Sequence, residues 1–139
     1  MSTSPVALSE RTLTVLDHVR LDTLLRRTRV QPSASPLAEL IDGADLVPSR
    51  EVDPNVITMY TQVVIADTAD GSQRRLTLCY PADANPDASF VSVLSPVGAA
   101  LLGQRVGQVA RWTTPGGKVR AAEIVAIEFQ PEANGDYTT

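Results

Sequence analysis

Leu94-Ser95-Pro96-Val97-Gly98-Ala99-Ala100-Leu101-Leu102-Gly103-Gln104-Arg105-Val106-Gly107 joins a strand to a short apolar helix that stops on glycine. Serine before proline is a helix start. The serine oxygen caps free amides, and proline at the first helical position has no amide to satisfy. Gly103 can take the left-handed conformation that ends a helix, and Gly107 can serve a turn into the next strand.

Strand patterns lie on both sides of this helix. Upstream, Phe90 to Leu94 reads as the strand that feeds it. Earlier still, Val56 to Ile65 is rich in β-branched residues, and Arg75 to Tyr80 alternates with period two and stops at Pro81. With the Asp70-Gly71 turn between them, these two runs predict a β-hairpin. Downstream, Gln108 to Thr113 and Val119 to Gln130 predict a second hairpin around Pro115-Gly116-Gly117, followed by a loose polar tail from Pro131 to Thr139. Strands with one short helix before the last hairpin make an α+β module, the helix covering a mostly antiparallel sheet.

The N-terminal part reads differently. After a patternless Met1 to Ser9, Leu13, Leu16, Leu21, Leu24 and Leu25 fall near one face of a helix that ends by Val30. The breakers of Gln31 to Pro36 follow, and Ser35 with Pro36 starts a second helix carrying Leu37, Leu40, Ile41 and Ala44. Two short amphipathic helices joined by about six residues predict an antiparallel hairpin, a short coiled coil over residues 1–47, ahead of a sheet domain over 48–139. Between Asp22 and Glu39 there is no acid, while Arg26, Arg27 and Arg29 lie there. The hairpin tip, with Gln31 in its turn, is therefore basic. Two readings stay open for it: a solvated helix end favoured by the dipole, or a contact with an acidic or nucleic-acid surface.

Composition excludes several functions. Sixteen acids against twelve bases give a net charge of −4, which opposes general nucleic-acid binding, and 4% aromatic residues leave little for a base-stacking platform. The single cysteine fits a reducing compartment, and no run approaches the roughly 18 apolar residues of a membrane helix. With no signal-peptide pattern, a cytoplasmic protein without membrane partners is expected. His18 has no second histidine to form a metal set and reads as a surface residue. Cys79, alternating in a strand, reads as a buried structural thiol. Ser95 lacks a histidine to activate it, so capping explains it better than nucleophilic attack. Gly116-Gly117-Lys118 is misspaced for a phosphate loop, since Trp112 and Val119 stand where glycine and Ser or Thr are needed. No catalytic constellation and no cofactor site emerge.

The stretch from Ser95 to Gly103 resembles the Ser-Pro-Leu-Gly-x-Ala-Leu-Leu-Gly core of the C-terminal domain of bacterial transcript-cleavage (Gre) factors. Pro115-Gly116-Gly117 followed by Glu123-Ile124 and Ile127 is similar to their closing hairpin. Val56-Ile57-Thr58-Met59, Leu78-Cys79-Tyr80-Pro81 and the ending from Phe129 to Tyr137 resemble their short relatives, the regulators of nucleoside diphosphate kinase. The resemblance implies an FK506-binding-protein-like (FKBP-like) sheet domain docked on the rim of the RNA polymerase secondary channel, the helical hairpin pointing to the channel. In Gre factors an Asp-Ser-Pro triplet makes that dock; here Leu94, Ser95 and Pro96 stand in its place, and with Val97 they form the expected docking edge. The acidic residues that hold a metal at the tip of a Gre coiled coil have no counterpart between Asp22 and Glu39, which implies binding without transcript cleavage, and competition with Gre-type factors. The family's link to nucleoside diphosphate kinase leaves direct regulation of that kinase as an alternative. An FKBP-like prolyl isomerase is the remaining one, opposed by few and scattered aromatic residues. No specific DNA binding is implied.

Overall fold

The computed structural model describes residues 11–28, 36–114 and 116–136. Its main sheet has five strands in the order β5-β4-β3-β7-β6, made by β3 (Gln62–Asp67), β4 (Gln73–Cys79), β5 (Phe90–Ser92), β6 (Val109–Thr113) and β7 (Val119–Phe129). All pairings are antiparallel except β4 with β5. The mostly antiparallel α+β class expected from the sequence is therefore found. Alternation sets the register: Val63 and Ile65 of β3 are buried, paired with Leu76 of β4, Ile127 and Ile124 of β7 and Arg74 at the hairpin end, while Gln62 and Val64, which alternate with them, are half-buried. In β4 the period-two reading fails halfway. Leu76, Thr77, Leu78 and Cys79 are all buried, so both faces of that strand end are covered.

The predicted strand from Val56 is corrected to a start at Gln62. Residues 56–61 instead satisfy their backbone locally. Thr58 N–H donates to Thr61 Oγ1 at 2.9 Å and Thr61 N–H to the Thr58 carbonyl at 3.2 Å, and Tyr60 sits at φ +64. Side-chain hydroxyls here replace a ladder that the β-branched composition would otherwise favour. The tail is also corrected. Gln130 and Glu132 are buried, and Glu132–Asn134 forms a 3-10 turn; Gln130 Nε2 donates to the carbonyls of Asp53 and Val56 at 2.9 and 2.8 Å. Tyr137 lies outside the described residues.

The N-terminal helix starts later than its apolar pattern suggests. Thr12–Thr14 forms β1, which pairs in parallel with β2 (Asp45–Val47), so Leu13 is a strand residue. Helix α1 (Val15–Thr28) follows, its start capped by Thr14 Oγ1 accepting from Asp17 N–H at 3.0 Å. Helix α2 (Pro36–Gly43) is eight residues long, about 12 Å at 1.5 Å per residue. Leu21 of α1 and Leu37, Leu40 and Ile41 of α2 are buried in the same apolar cluster as Leu13, Ile57, Leu76, Leu101 and Ile124. Full burial of each such side chain contributes about 1.5–3 kcal/mol relative to exposure, and neither short helix would persist in water without it.

One carboxyl group ties this segment to the loop over residues 56–61, and a second ties that loop to the turn after β7. Asp17, 1% exposed, accepts from Met59 N–H through Oδ2 at 3.2 Å, and Glu132 Oε1 accepts from Thr58 Oγ1 at 2.7 Å. Burial pushes the Asp17 carboxyl up to about 6, against the pull of the Met59 amide, and the nearby Glu132 pushes it the same way. Glu132 is raised too, again by burial.

Candidate functional site

The expected docking edge is organised by the start of α3 (Pro96–Leu101). Chain reversal after β5 is held by the Ser92 carbonyl, which accepts from Ser95 N–H at 3.0 Å and from Ser95 Oγ at 2.6 Å. The Ser95 oxygen accepts in turn from Gly98 N–H at 3.1 Å, while Ser92 Oγ accepts from Leu94 N–H at 3.0 Å. Ser95 is thus the N-cap, with Pro96 at the first helical position as the sequence predicts. Its hydroxyl both donates and accepts within the turn, which leaves it no role as a nucleophile.

Gly98 is the residue that sequence reading passed over. A Cβ built there would overlap the Ser92 carbonyl oxygen and lie 2.9 Å from its carbon and 3.0 Å from Val93 Cα. The signal was available: glycine costs about 1 kcal/mol in a helix interior relative to alanine, so its presence inside an apolar run points to close backbone approach. From Gly98 onward the helix is buried, and its C-terminal end leads into Gly103 at φ +80.

This packing turns four side chains outward to different extents. Leu94 is 37% exposed and Pro96 is exposed, whereas Ser95 and Val97 are half-buried. The edge is therefore apolar, bent and rigidly capped, with no charged side chain of its own. Beside it a cleft of about 340 Å³ runs between α3 and β6, lined by Arg11, Pro96, Ala99, Arg111 and Trp112 among others. Arg11 reaches it from the start of the described chain. Its Nη1 donates to the carbonyls of Ala99 and Leu102 at 3.0 and 2.8 Å, closing the C-terminal end of α3. Burial lowers the Arg11 pKa from its ordinary value.

Of the expected basic tip, Arg26 and Arg27 occupy the last turn of α1 and are exposed. Arg26 pairs with Asp22 one turn back at 3.1 Å. Arg29 and Gln31 lie outside the described residues. The structure thus describes two elements of the expected contact, the α3 edge and the α1 end, on separate parts of the fold.

The remaining chemical candidates are accounted for structurally. Cys79 is fully buried, burial raises its pKa, and its thiol points to the Val91 carbonyl at 3.5 Å. His18 is half-buried on α1. Asp17 and Glu132 are too enclosed to meet a substrate. Gly117, at φ +86, serves the turn between β6 and β7, where Gly117 N–H donates to the Thr114 carbonyl at 2.9 Å. Among the described residues no group of three or more His, Cys, Asp or Glu could hold a metal ion, and no helix is long and apolar enough to cross a membrane.

Comparison with known proteins places this geometry. Residues 51–129 match the family described as "Transcription elongation factor, GreA/GreB, C-term". The chain is 40% identical over 124 residues to the regulator of nucleoside diphosphate kinase of Escherichia coli K12, covering 88% of this chain and 91% of that one. It is 31% identical over 91 residues to the transcription elongation factor GreA of Flavobacterium johnsoniae, covering 66% of this chain and 57% of that factor. Among solved structures, a prokaryotic GreA/GreB transcription elongation factor from Nitrosomonas europaea superposes with a TM-score of 0.71 at 33% identity, over 86% of this chain and 98% of that one. These relatives are named as regulators or transcription factors. The match spans the capped α3 turn, both hairpins and most of the sheet, and the chain accordingly belongs to the regulators of nucleoside diphosphate kinase within the GreA/GreB family.

Proposed function

We propose that this protein is a non-enzymatic, cytoplasmic transcription regulator that docks on RNA polymerase at the secondary channel rim through Leu94, Ser95, Pro96 and Val97. The observation that carries the reading is that Leu94 and Pro96 are exposed on either side of the Ser95 cap, inside the stretch that matches the GreA/GreB C-terminal family. Residues 48–139 act as an FKBP-like docking domain, and residues 1–47 as a short helical hairpin whose tip, Arg26, Arg27, Arg29 and Gln31, is directed to the channel. Leucine at position 94 makes the dock apolar where an aspartate would make it charged. No acid stands between Asp22 and Glu39 to bring a metal to the polymerase active centre, so the bound protein would not stimulate transcript cleavage. It would compete with Gre-type factors for the same rim.

The test replaces Ser95 and Pro96 together with alanine and measures binding of the full chain to core RNA polymerase. Affinity should fall by about tenfold or more, since every 1.4 kcal/mol of lost contact is a factor of ten. Unchanged affinity in a variant that still folds would remove the docking assignment. A second reading, direct regulation of nucleoside diphosphate kinase, is favoured by the name of the 40% identical relative. Capture of purified kinase, with no capture of polymerase, would select it.

A further inference from the structure

A second apolar concavity lies away from the α3 edge and shares no residue with it. It occupies about 630 Å³ between α1 and the turn that leaves β4, with Val19, Leu24, Tyr80 and Pro81 among its walls and Arg20 and Arg27 also lining it. Val19 is 55% exposed, although it belongs to a helix whose opposite side is buried in the core. Val19, Thr23 and Arg27 are four residues apart in succession and so share one helical face.

The opposing wall is held in place. The Tyr80 ring packs on Tyr60 with centroids 5.8 Å apart and planes tilted by 55°. Tyr60 is itself fixed in a left-handed backbone conformation, φ +64, and its hydroxyl donates to the Asp83 carboxylate. Tyr60 N–H also donates to the Leu78 carbonyl at the end of β4. Such a wall needs no reordering to receive a ligand, which lowers the cost of binding.

Charge selects the occupant. The chain carries −4 overall, yet this groove is lined by two arginines. Arg20 faces Asp17 and Tyr80. Arg26, next in the chain, is paired with Asp22. Arg27 is exposed and meets no acid among the described residues. The acids near the groove are otherwise engaged, Asp83 by Tyr60 and Asp22 by Arg26.

We propose that this groove is a second docking surface, which takes an amphipathic protein segment presenting an aliphatic side chain to Val19 and Leu24 and a carboxylate to Arg27. The inference uses no residue of the α3 edge; it shares only Arg27 with the helix end that the polymerase reading directs to the channel, and peptide binding is read on the free chain with no polymerase present. It can be tested with two fluorescein-labelled amphipathic helical peptides of identical leucine pattern, one flanked by glutamates and one by lysines, titrated into the full chain and followed by anisotropy. The acidic probe should bind, and the basic probe should bind at least about tenfold more weakly. Val19→Ser and Arg27→Glu should each weaken the acidic probe by about tenfold or more, while Val125→Ser on exposed β7 should leave it unchanged. Both target side chains are exposed, so unchanged thermal midpoints are expected and are checked for each variant. Failure of the acidic probe to bind, equal binding of the basic probe, or insensitivity to both groove substitutions in folded protein would each overturn the proposal.

Discussion

Gly98 carries the strictest requirement in the α3 turn. A methyl group there meets the Ser92 carbonyl, which is backbone and already accepts two hydrogen bonds from Ser95. Gly98→Ala should therefore destabilise the protein by about 3 kcal/mol or more, although alanine is the better helix former, and thermal unfolding will register it as a large fall in midpoint. Ser95→Ala removes only a cap and should cost about 1 kcal/mol. Asp17 makes a prediction of the opposite sign. Its carboxyl titrates at about 6 in the folded chain, above its ordinary value of 3.8. As pH rises through that window the unfolded chain ionises first, so stability falls between about pH 4 and 6 and levels off above, by about 3 kcal/mol in all. The raised Glu132 acts in the same direction. Asp17→Asn keeps an acceptor for Met59 N–H but cannot ionise. Denaturant titrations should find its pH slope reduced, and its stability above that of the parent at pH 7 but close to it at pH 4.

Among the elements, α3 depends on a residue 88 positions earlier in the chain. Arg11 donates to the carbonyls of Ala99 and Leu102, and β1 next to it hydrogen-bonds through Thr12 N–H to the Gly103 carbonyl at 3.2 Å. Arg11→Met should leave two partly buried carbonyls without their donor and lower stability by about 2–3 kcal/mol, with hydrogen exchange faster in α3 than in the β3–β7 pair. This contact was not legible in the sequence, where Arg11 stands in a polar stretch and Thr12-Leu13-Thr14 merges with the apolar pattern of α1. What local chemistry decides was legible: the Ser95-Pro96 start of α3, the Asp70-Gly71 turn between β3 and β4, and the strands β4, β6 and β7 to within a few residues. What distant partners decide was not. Val56 to Thr61 has strand composition, yet the hydroxyls of Thr58 and Thr61, with Glu132 arriving from the far end of the chain, hold it as a loop. Gln130 to Glu132 looks like the start of a polar tail because its partners, the Asp53 and Val56 carbonyls and the Thr58 hydroxyl, are more than seventy positions away.

At the scale of the whole molecule, the N-terminal helices and the sheet share one apolar cluster, so the basic end of α1 and the Leu94–Val97 edge are carried on a common core. For the edge itself the residue types were legible, since Leu94, Ser95, Pro96 and Val97 could be singled out by their cap and family likeness. Their unequal exposure was not, because it follows from how tightly Gly98 lets α3 approach Ser92. The most direct measurement is displacement of a labelled Gre-type factor from core RNA polymerase by the full chain, with the Ser95, Pro96 double-alanine variant alongside. The parent should displace the factor progressively and the variant should need about tenfold more protein or worse. Simultaneous binding of both proteins, or equal displacement by the folded variant, would contradict the account.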